Sequence, residues 1–335
     1  MFSSIFRLAR LNRRWVRTSV WSLSEVAGRQ RLGYNSTPMP LASASKLDQK
    51  GQAKAVLITG GTDGLGKAAA IYLAERGYRV VAAGRSASKR AELESLAKSK
   101  SLPLSTIELD VCSDRSVGST VQAVLATHGQ IDVLVNNAGV GYMAVVEELK
   151  MEDFKQQFET NLYGVLRMTQ AVLPGMRKQK SGRILMLSSV AGLVSPPIYG
   201  AYSSSKHALE GLSNSLRLEL YPFYIDVVLI EPGYIVTNFQ QTAKELAQPY
   251  VQAAKSSPYE KIYAGAWAGA AKGRARSKST PEDCARVILR AIESPNPRAR
   301  YGVTPLATLV KWARRLASDR MLDGFLRRTY GVTRN

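Results

Sequence analysis

Six short apolar runs, at residues 55–59, 79–83, 104–109, 131–135, 183–187 and 225–230, alternate with longer stretches of helical character at 64–76, 87–100, 114–128, 151–178 and 201–221. This alternation limits the chain to few folds. Apolar runs without a polar face are buried on both sides. Joined through helices, they form a parallel sheet with helices on both faces and right-handed crossovers. The expected class is therefore α/β, a doubly wound, mostly parallel sheet. Residues 238–280 lack strong periodicity and read as an insertion over the open end of the sheet, where ligands bind in such folds. Thr280, Pro281, Glu282 and Asp283 start a helix over 281–292. Residues 305–330 read as one or two amphipathic helices carrying Leu306, Leu309, Trp312, Leu316, Phe325 and Leu326.

The 335 residues suffice for one large α/β domain with appendages or for two domains. The two cysteines, Cys112 and Cys284, lie far apart, and the two histidines, His128 and His207, lack ligand spacing. This excludes a disulfide framework and gives no expectation of a metal site. His207 reads as a helix-surface residue. The net charge of +20 is concentrated near the ends. Arg7, Arg10, Arg13, Arg14, Arg17, Arg29 and Arg31 face Glu25 alone, and Lys311, Arg314, Arg315, Arg320, Arg327 and Arg328 crowd the C-terminal stretch. Such asymmetry suits an anionic partner: a membrane surface, a nucleic acid or an acidic carrier. No nucleic-acid-binding motif accompanies it, which counts against a nucleic acid. No apolar stretch approaches the roughly 18 residues that a membrane span needs.

Residues 1–50 read as a separate basic extension. Ile5, Leu8, Leu11 and Trp15 recur at helical spacing, and Arg7, Arg10, Arg14 and Arg17 occupy another face. Three readings stand: an import presequence for a mitochondrion or plastid, a helix lying on a membrane surface, or a disordered tail that leaves the protein cytoplasmic. Residues 36–53 read as a linker. The expected organisation is this extension, a catalytic domain over 53–303 and a helical extension over 304–335.

The run Ala55-Val56-Leu57-Ile58-Thr59 enters Gly60-Gly61-Thr62-Asp63-Gly64-Leu65-Gly66, and a helix follows. Glycines here let backbone approach a pyrophosphate whose charge sits at the helix N-terminus. At the end of the second strand, Gly84 stands where an acid would mark NAD, and Arg85 follows, with Lys89 and Arg90 nearby. Arginine suits a 2′-phosphate, so NADP is the expected cofactor. Tyr202 and Lys206, four residues apart, share one helix face, and Ser189 lies thirteen residues upstream of Tyr202. An ammonium beside a phenol favours the phenolate and lowers its pKa, which fits proton exchange.

In order along the chain stand Thr59-Gly60-x-x-x-Gly64-x-Gly66, Asp110-Val111, Asn136-Asn137-Ala138-Gly139, Asn161, Ser189, Tyr202-x-x-x-Lys206 and Pro232-Gly233 with Thr237. With these motifs the chain resembles the short-chain dehydrogenase/reductase superfamily over residues 53–300. The resemblance implies a Rossmann-type domain and assigns roles. Asp110 and Val111 would hold the adenine, and Asn137, Ala138 and Gly139 would line the cofactor, with Asn136 bracing the sheet. Tyr202 would exchange the proton, Lys206 would bond the nicotinamide ribose and depress the Tyr202 pKa, and Ser189 would hold the substrate oxygen. Asn161 would support a water relay, and Pro232, Gly233 and Thr237 would shape the nicotinamide site.

The apolar C-terminal helices and the run Leu209–Leu220 are similar to the steroid- and retinol-dehydrogenase branch. The implied activity is NADP-dependent transfer between a carbonyl and a secondary alcohol on a hydrophobic small molecule. The same helices suit a homo-oligomer interface equally. A 3-oxoacyl-carrier-protein reductase and a non-catalytic cofactor-binding scaffold are the alternatives. The full set of Asn161, Ser189, Tyr202 and Lys206 argues against the scaffold.

Overall fold

A computed structural model describes residues 46–334. The Ile5–Trp15 stripe and the arginines of the basic extension lie outside the described residues. Seven strands make one sheet: β1 (Ala55–Thr59), β2 (Arg79–Gly84), β3 (Leu104–Glu108), β4 (Val133–Asn136), β5 (Gly182–Leu187), β6 (Ile225–Glu231) and β7 (Arg300–Gly302). Their order is β3-β2-β1-β4-β5-β6-β7, and every neighbouring pair is parallel. The order reverses between β1 and β4, which opens a crevice beyond their carboxyl ends. The sequence did not reveal β7, because three residues carry no apolar run.

Helices α1 (Gly64–Ala74), α2 (Ala87–Ser99), α3 (Asp114–His128), α4 (Met151–Phe158), α5 (Gly164–Gln179) and α6 (Gly200–Glu219) connect the first six strands. They are followed by α7 (Asn238–Ala253), α8 (Glu260–Arg276), α9 (Pro281–Glu293), α10 (Pro305–Leu316) and α11 (Asp319–Tyr330). Ala70 and Leu73 of α1, Leu93 of α2 and Ile288 of α9 bury one face of the sheet around Val56, Ile58 and Val228. Val121 of α3, Met168 of α5 and Leu209 of α6 cover the other face around Leu57, Leu134 and Ile184. A third cluster joins α7, α8 and α11 through Tyr250, Tyr263 and Tyr330.

Three sequence expectations need correction. The stretch 151–178 is two helices joined by a π-helical turn over Glu159–Tyr163, a distortion common at functional sites. Residues 238–280 are mostly helical, not irregular. Their buried face is mostly small, Ala243, Ala247, Ala266 and Ala270 beside Tyr250 and Tyr263, and the alanines raise little hydropathy contrast. Finally, Leu47 to Ala53, within the segment read as a linker, folds back on the sheet. Leu47 pairs with Ala53, and the buried Asp48 carboxylate faces Arg79 at 3.8 Å and accepts from Gln130 Nε2 at 3.0 Å.

Candidate active site

The crevice holds a cavity of about 470 Å³, lined by residues from each motif read in the sequence except Asn161, which lies behind the wall. Its floor begins at the turn after β1. Gly60 and Gly64 have φ of 62° and 50°, in the left-handed region that glycine tolerates. A Cβ on Gly66 would collide with the Gly60 carbonyl, so α1 can press against its own turn only with glycine there. The first amides of a helix lack intrahelical acceptors. Asp63 caps the Gly64 amide at 2.8 Å. Gly60, Thr62, Asp63, Gly64 and Leu65 line the cavity, whereas Gly66 is packed behind them.

Asp63 also binds the Lys89 ammonium and accepts from Asn238 Nδ2 at 2.9 Å, which ties the turn to the start of α7. Burial alone would raise its carboxyl, but the hydrogen bonds from Lys89, Gly64 and Asn238 and the Lys89 charge hold it below the usual range. Arg85 stands exposed at the rim and makes no hydrogen bond or ion pair through its side chain to a described residue. The supporting cations expected near it are committed elsewhere. Lys89 pairs with Asp63, and Arg90 donates to the Gly84 and Arg85 carbonyls and to Glu108.

The end of β4 is fastened to the end of β1. Thr59 Oγ1 accepts the Asn137 and Ala138 amides, both at 3.0 Å, and Asn137 Nδ2 donates to the Thr59 and Gly60 carbonyls. Asn136 is buried and donates to Thr169 Oγ1 at 3.1 Å, bracing α5 on the sheet. Asp110 turns the chain by accepting the Cys112 amide at 3.0 Å, and Val111 packs where Gly164 leaves room. Asp110, Val111, Ala138 and Gly139 line the cavity.

Asn161 sits in the π-helical turn, fully buried. Its Oδ1 accepts the Val140 amide at 2.9 Å, and its Nδ2 donates to the Val140 carbonyl at 3.0 Å and to Ser205 Oγ at 3.3 Å. It therefore fixes the loop after Gly139 and touches the residue before Lys206. Gln157, one turn earlier, grips the same loop through the Val140 carbonyl and the Tyr142 amide.

Ser189, two residues past β5 and in extended backbone, caps the turn Val190–Gly192, and its Oγ accepts the Ala191 amide at 3.1 Å. Its hydroxyl stands near enough to the Tyr202 phenol to favour the ionised form. Tyr202 is half-buried in the first turn of α6. Burial pushes its phenol up to about 12, and the Ser189 hydroxyl works against that. Lys206 is buried and donates to the Leu187 carbonyl at 2.6 Å, with its Nζ 5.7 Å from the centre of the Tyr202 ring. Burial draws its ammonium down to about 8, and Glu210 opposes this. The expected lowering of Tyr202 by Lys206 is absent from this geometry. The ammonium is engaged by a carbonyl and lies off the phenolic oxygen, so burial dominates. Ser188 Oγ, the neighbour passed over in the sequence, is buried and lacks a hydrogen-bond partner among the described residues.

Pro232 accepts the Val190 amide at 2.9 Å, which joins the segment after β6 to the segment after Ser189. A Cβ on Gly233 would strike Thr304. Thr237 caps α7 in a reciprocal box with Gln240 and lies opposite Gly64. All three line the cavity.

Several residues escaped the sequence. Phe239 tilts against the Tyr202 ring at 5.6 Å between centroids. Trp267, Arg274, Leu326 and Tyr330 complete the wall. Phe239, Trp267 and Arg274 belong to the 238–280 segment expected over the open end of the sheet, but which of its side chains face the cavity, and that Leu326 and Tyr330 join them, no local pattern reveals. Behind the cavity, Arg300 Nη2 meets Glu210 at 3.0 Å and its Nε meets Glu231 at 3.3 Å. Glu210 had a visible signal, since it lies one turn after Lys206. Burial, reinforced by Glu210, raises the Glu231 carboxyl to about 7 against the pull of Lys311 and Arg300.

The residues fit a nicotinamide dinucleotide: a glycine turn at a helix N-terminus, an uncommitted arginine at the rim, and a tyrosine, serine and lysine at the opposite wall.

Comparison with known proteins agrees. Residues 54–247 match the family model for the short chain dehydrogenase. Human retinol dehydrogenase 8 is 35% identical over 270 residues, covering 76% of this chain and 84% of that protein. Human 17-beta-hydroxysteroid dehydrogenase type 1 is 34% identical over 255 residues, covering 74% and 77%. A short chain dehydrogenase/reductase from Burkholderia phymatum, solved in complex with NAD, superposes with a TM-score of 0.69 at 25% identity, covering 81% of this chain and 95% of that one.

Proposed function

The chain belongs to the short-chain dehydrogenase family, oxidoreductases acting on CH–OH and C=O groups, and from that we propose an NADP-dependent reductase of hydrophobic ketones or aldehydes. One observation carries the reading. The Tyr202–Ser189 pair opens into a cavity walled by Met143, Val194, Tyr199, Phe239, Trp267 and Leu326. An apolar wall around a few polar groups selects an apolar substrate and fixes only its reacting oxygen. The names of the retinol and steroid relatives point the same way. The preference for NADP rests on Arg85 at the rim and on the lack of an acid at the end of β2.

A bound nicotinamide dinucleotide supplies the hydride that reduces the carbonyl carbon. Ser189 and Tyr202 donate to the carbonyl oxygen as it gains negative charge. A phenol held near 12 is protonated at neutral pH and is ready to give its proton to that oxygen. Lys206, protonated below about 8, keeps a positive charge beneath the Tyr202 ring as the phenolate forms. Asn161 holds the Val140 loop and the Ser205 side of α6, which fixes both walls relative to each other. The reverse oxidation requires the phenolate, which burial disfavours.

The test is NADPH and NADH oxidation by the full chain with all-trans-retinal, a steroid ketone and an acetoacetyl thioester. The reading predicts turnover with NADPH and the first two. Turnover confined to the thioester would favour the carrier-protein reductase instead.

A further inference from the structure

We propose that the outer face of α10 and α11 is a docking surface for an anionic lipid bilayer. Leu309, Trp312 and Leu316 follow one another at spacings of three and four on α10, and Met321 and Phe325 do so on α11. They are 66%, 54%, 79%, 65% and 67% exposed, far more than large apolar side chains on a surface that only meets water. The inward face of the same helices is spoken for. Ala307 and Tyr330 are buried, and Tyr330 packs on α8.

Charge decides the occupant. Residues 305–334 carry seven cationic side chains against two carboxylates. Arg314 is paired with Asp319 at 2.7 Å, but Arg315, Arg320 and Arg328 are exposed beside the apolar stripe. Arg315 lies 5.8 Å from the Trp312 ring, the arrangement of an aromatic and a cation that share a headgroup layer. A basic, tryptophan-bearing amphipathic pair of helices lies in the plane of an anionic interface. No helix among the described residues is long and apolar enough to cross a membrane, so the contact is with the surface. A second copy of this chain would bring these cations against their own kind. The two helices also wall the cavity through Leu306, Leu326 and Tyr330. Docking would therefore set the cavity beside the lipid. The surface itself does not depend on the reaction proposed above, because the test reads binding and not turnover.

The experiment is sedimentation of the full chain with vesicles of phosphatidylcholine alone and with about one-third phosphatidylserine. Binding is expected to the anionic vesicles and to weaken with salt. The variant Leu309→Ser/Trp312→Ser/Phe325→Ser should bind about tenfold less or weaker still, with its circular dichroism unchanged. The variant Arg315→Gln/Arg320→Gln/Arg328→Gln alters only exposed side chains. It keeps the test valid if the first fails to fold, and it should lose about fivefold per charge removed. Wild-type protein that stays in the supernatant would overturn the proposal. So would variants that sediment as fully as wild type, which would place attachment in the basic residues 1–45. A wild-type dimer that the first variant splits, with no vesicle binding, would assign the face to a second copy and overturn it too.

Discussion

Thr62 occupies the space that any side chain at Gly84 would need: a Cβ built on Gly84 would run into Thr62 Oγ1. The end of β2 therefore excludes the acidic residue that reads a 2′-hydroxyl, and it does so by packing as well as by sequence. Gly84→Asp alone should weaken NADPH and NADH alike. Gly84→Asp with Thr62→Ala should recover NADH binding. Fluorescence titration of both cofactors checks this, and a single Gly84→Asp variant that gained NADH affinity would refute the steric account.

Arg85 remains the group at the rim without a committed partner, since Lys89 and Arg90 are engaged. A hydrogen bond to a charged group contributes roughly 1.5–3 kcal/mol, so Arg85→Ala should raise the NADPH Kd about tenfold or more. The NADH Kd should hardly change. Equal losses for the two would assign Arg85 to general electrostatics.

Phe239 packs on Tyr202 where the apolar wall meets the chemistry. Phe239→Ala should raise KM for a hydrophobic ketone about tenfold or more, the scale of a lost aromatic contact and a loosened wall. The NADPH Kd should stay put. A fall in kcat without change in KM would mean that Phe239 positions the phenol instead.

Glu231 gives a pH signature. Its folded pKa, near 7, lies above the ordinary carboxylate value, so its contribution is complete at low pH and is lost as pH rises through about 7. Glu231→Gln removes that loss. The variant should gain on wild type as pH rises from about 4.5 to about 7, and hold a gain on the order of 1–3 kcal/mol above that. Thermal midpoints across that range test it, and a gap that shrinks with rising pH would contradict the sign.

The sheet was legible because buried parallel strands are apolar on both faces. The runs at 55–59 and 114–128 match β1 and α3 to the residue. The candidate catalytic residues were brought together by spacing within and just beyond elements: Tyr202 and Lys206 share a turn of α6, and Ser189 lies two residues past β5. What could not be read depends on tertiary neighbours. Lys206 turns to Leu187, nineteen residues away in sequence, which no helix spacing foretells. The 238–280 segment was read as lying over the open end of the sheet, but that Phe239 and Trp267 face the cavity there, and that Tyr330 of α11 joins them, needs the tertiary fold. Glu231 is paired with Arg300, which sits in the unread β7, and the burial that raises its carboxyl comes from tertiary packing.

The fold places the working boundary of the catalytic domain before Leu47, since Asp48 is buried against Arg79 and Gln130. Deleting residues 1–45 should leave a folded, active enzyme, whereas deleting 1–53 should lower its thermal midpoint. For the basic segment we propose a targeting role. A shortened N-terminus in mass spectra of the native protein would mark import. Loss of activity on removing 1–45 would show that the segment belongs to the catalytic domain.

The most direct test is Tyr202→Phe, which removes the phenolic oxygen from the Ser189 pair and keeps the ring against Phe239. NADPH should bind with an unchanged Kd while kcat falls about 100-fold or more, the scale of a lost general acid. A Tyr202→Phe enzyme that kept near-wild-type kcat on a hydrophobic ketone would contradict the account.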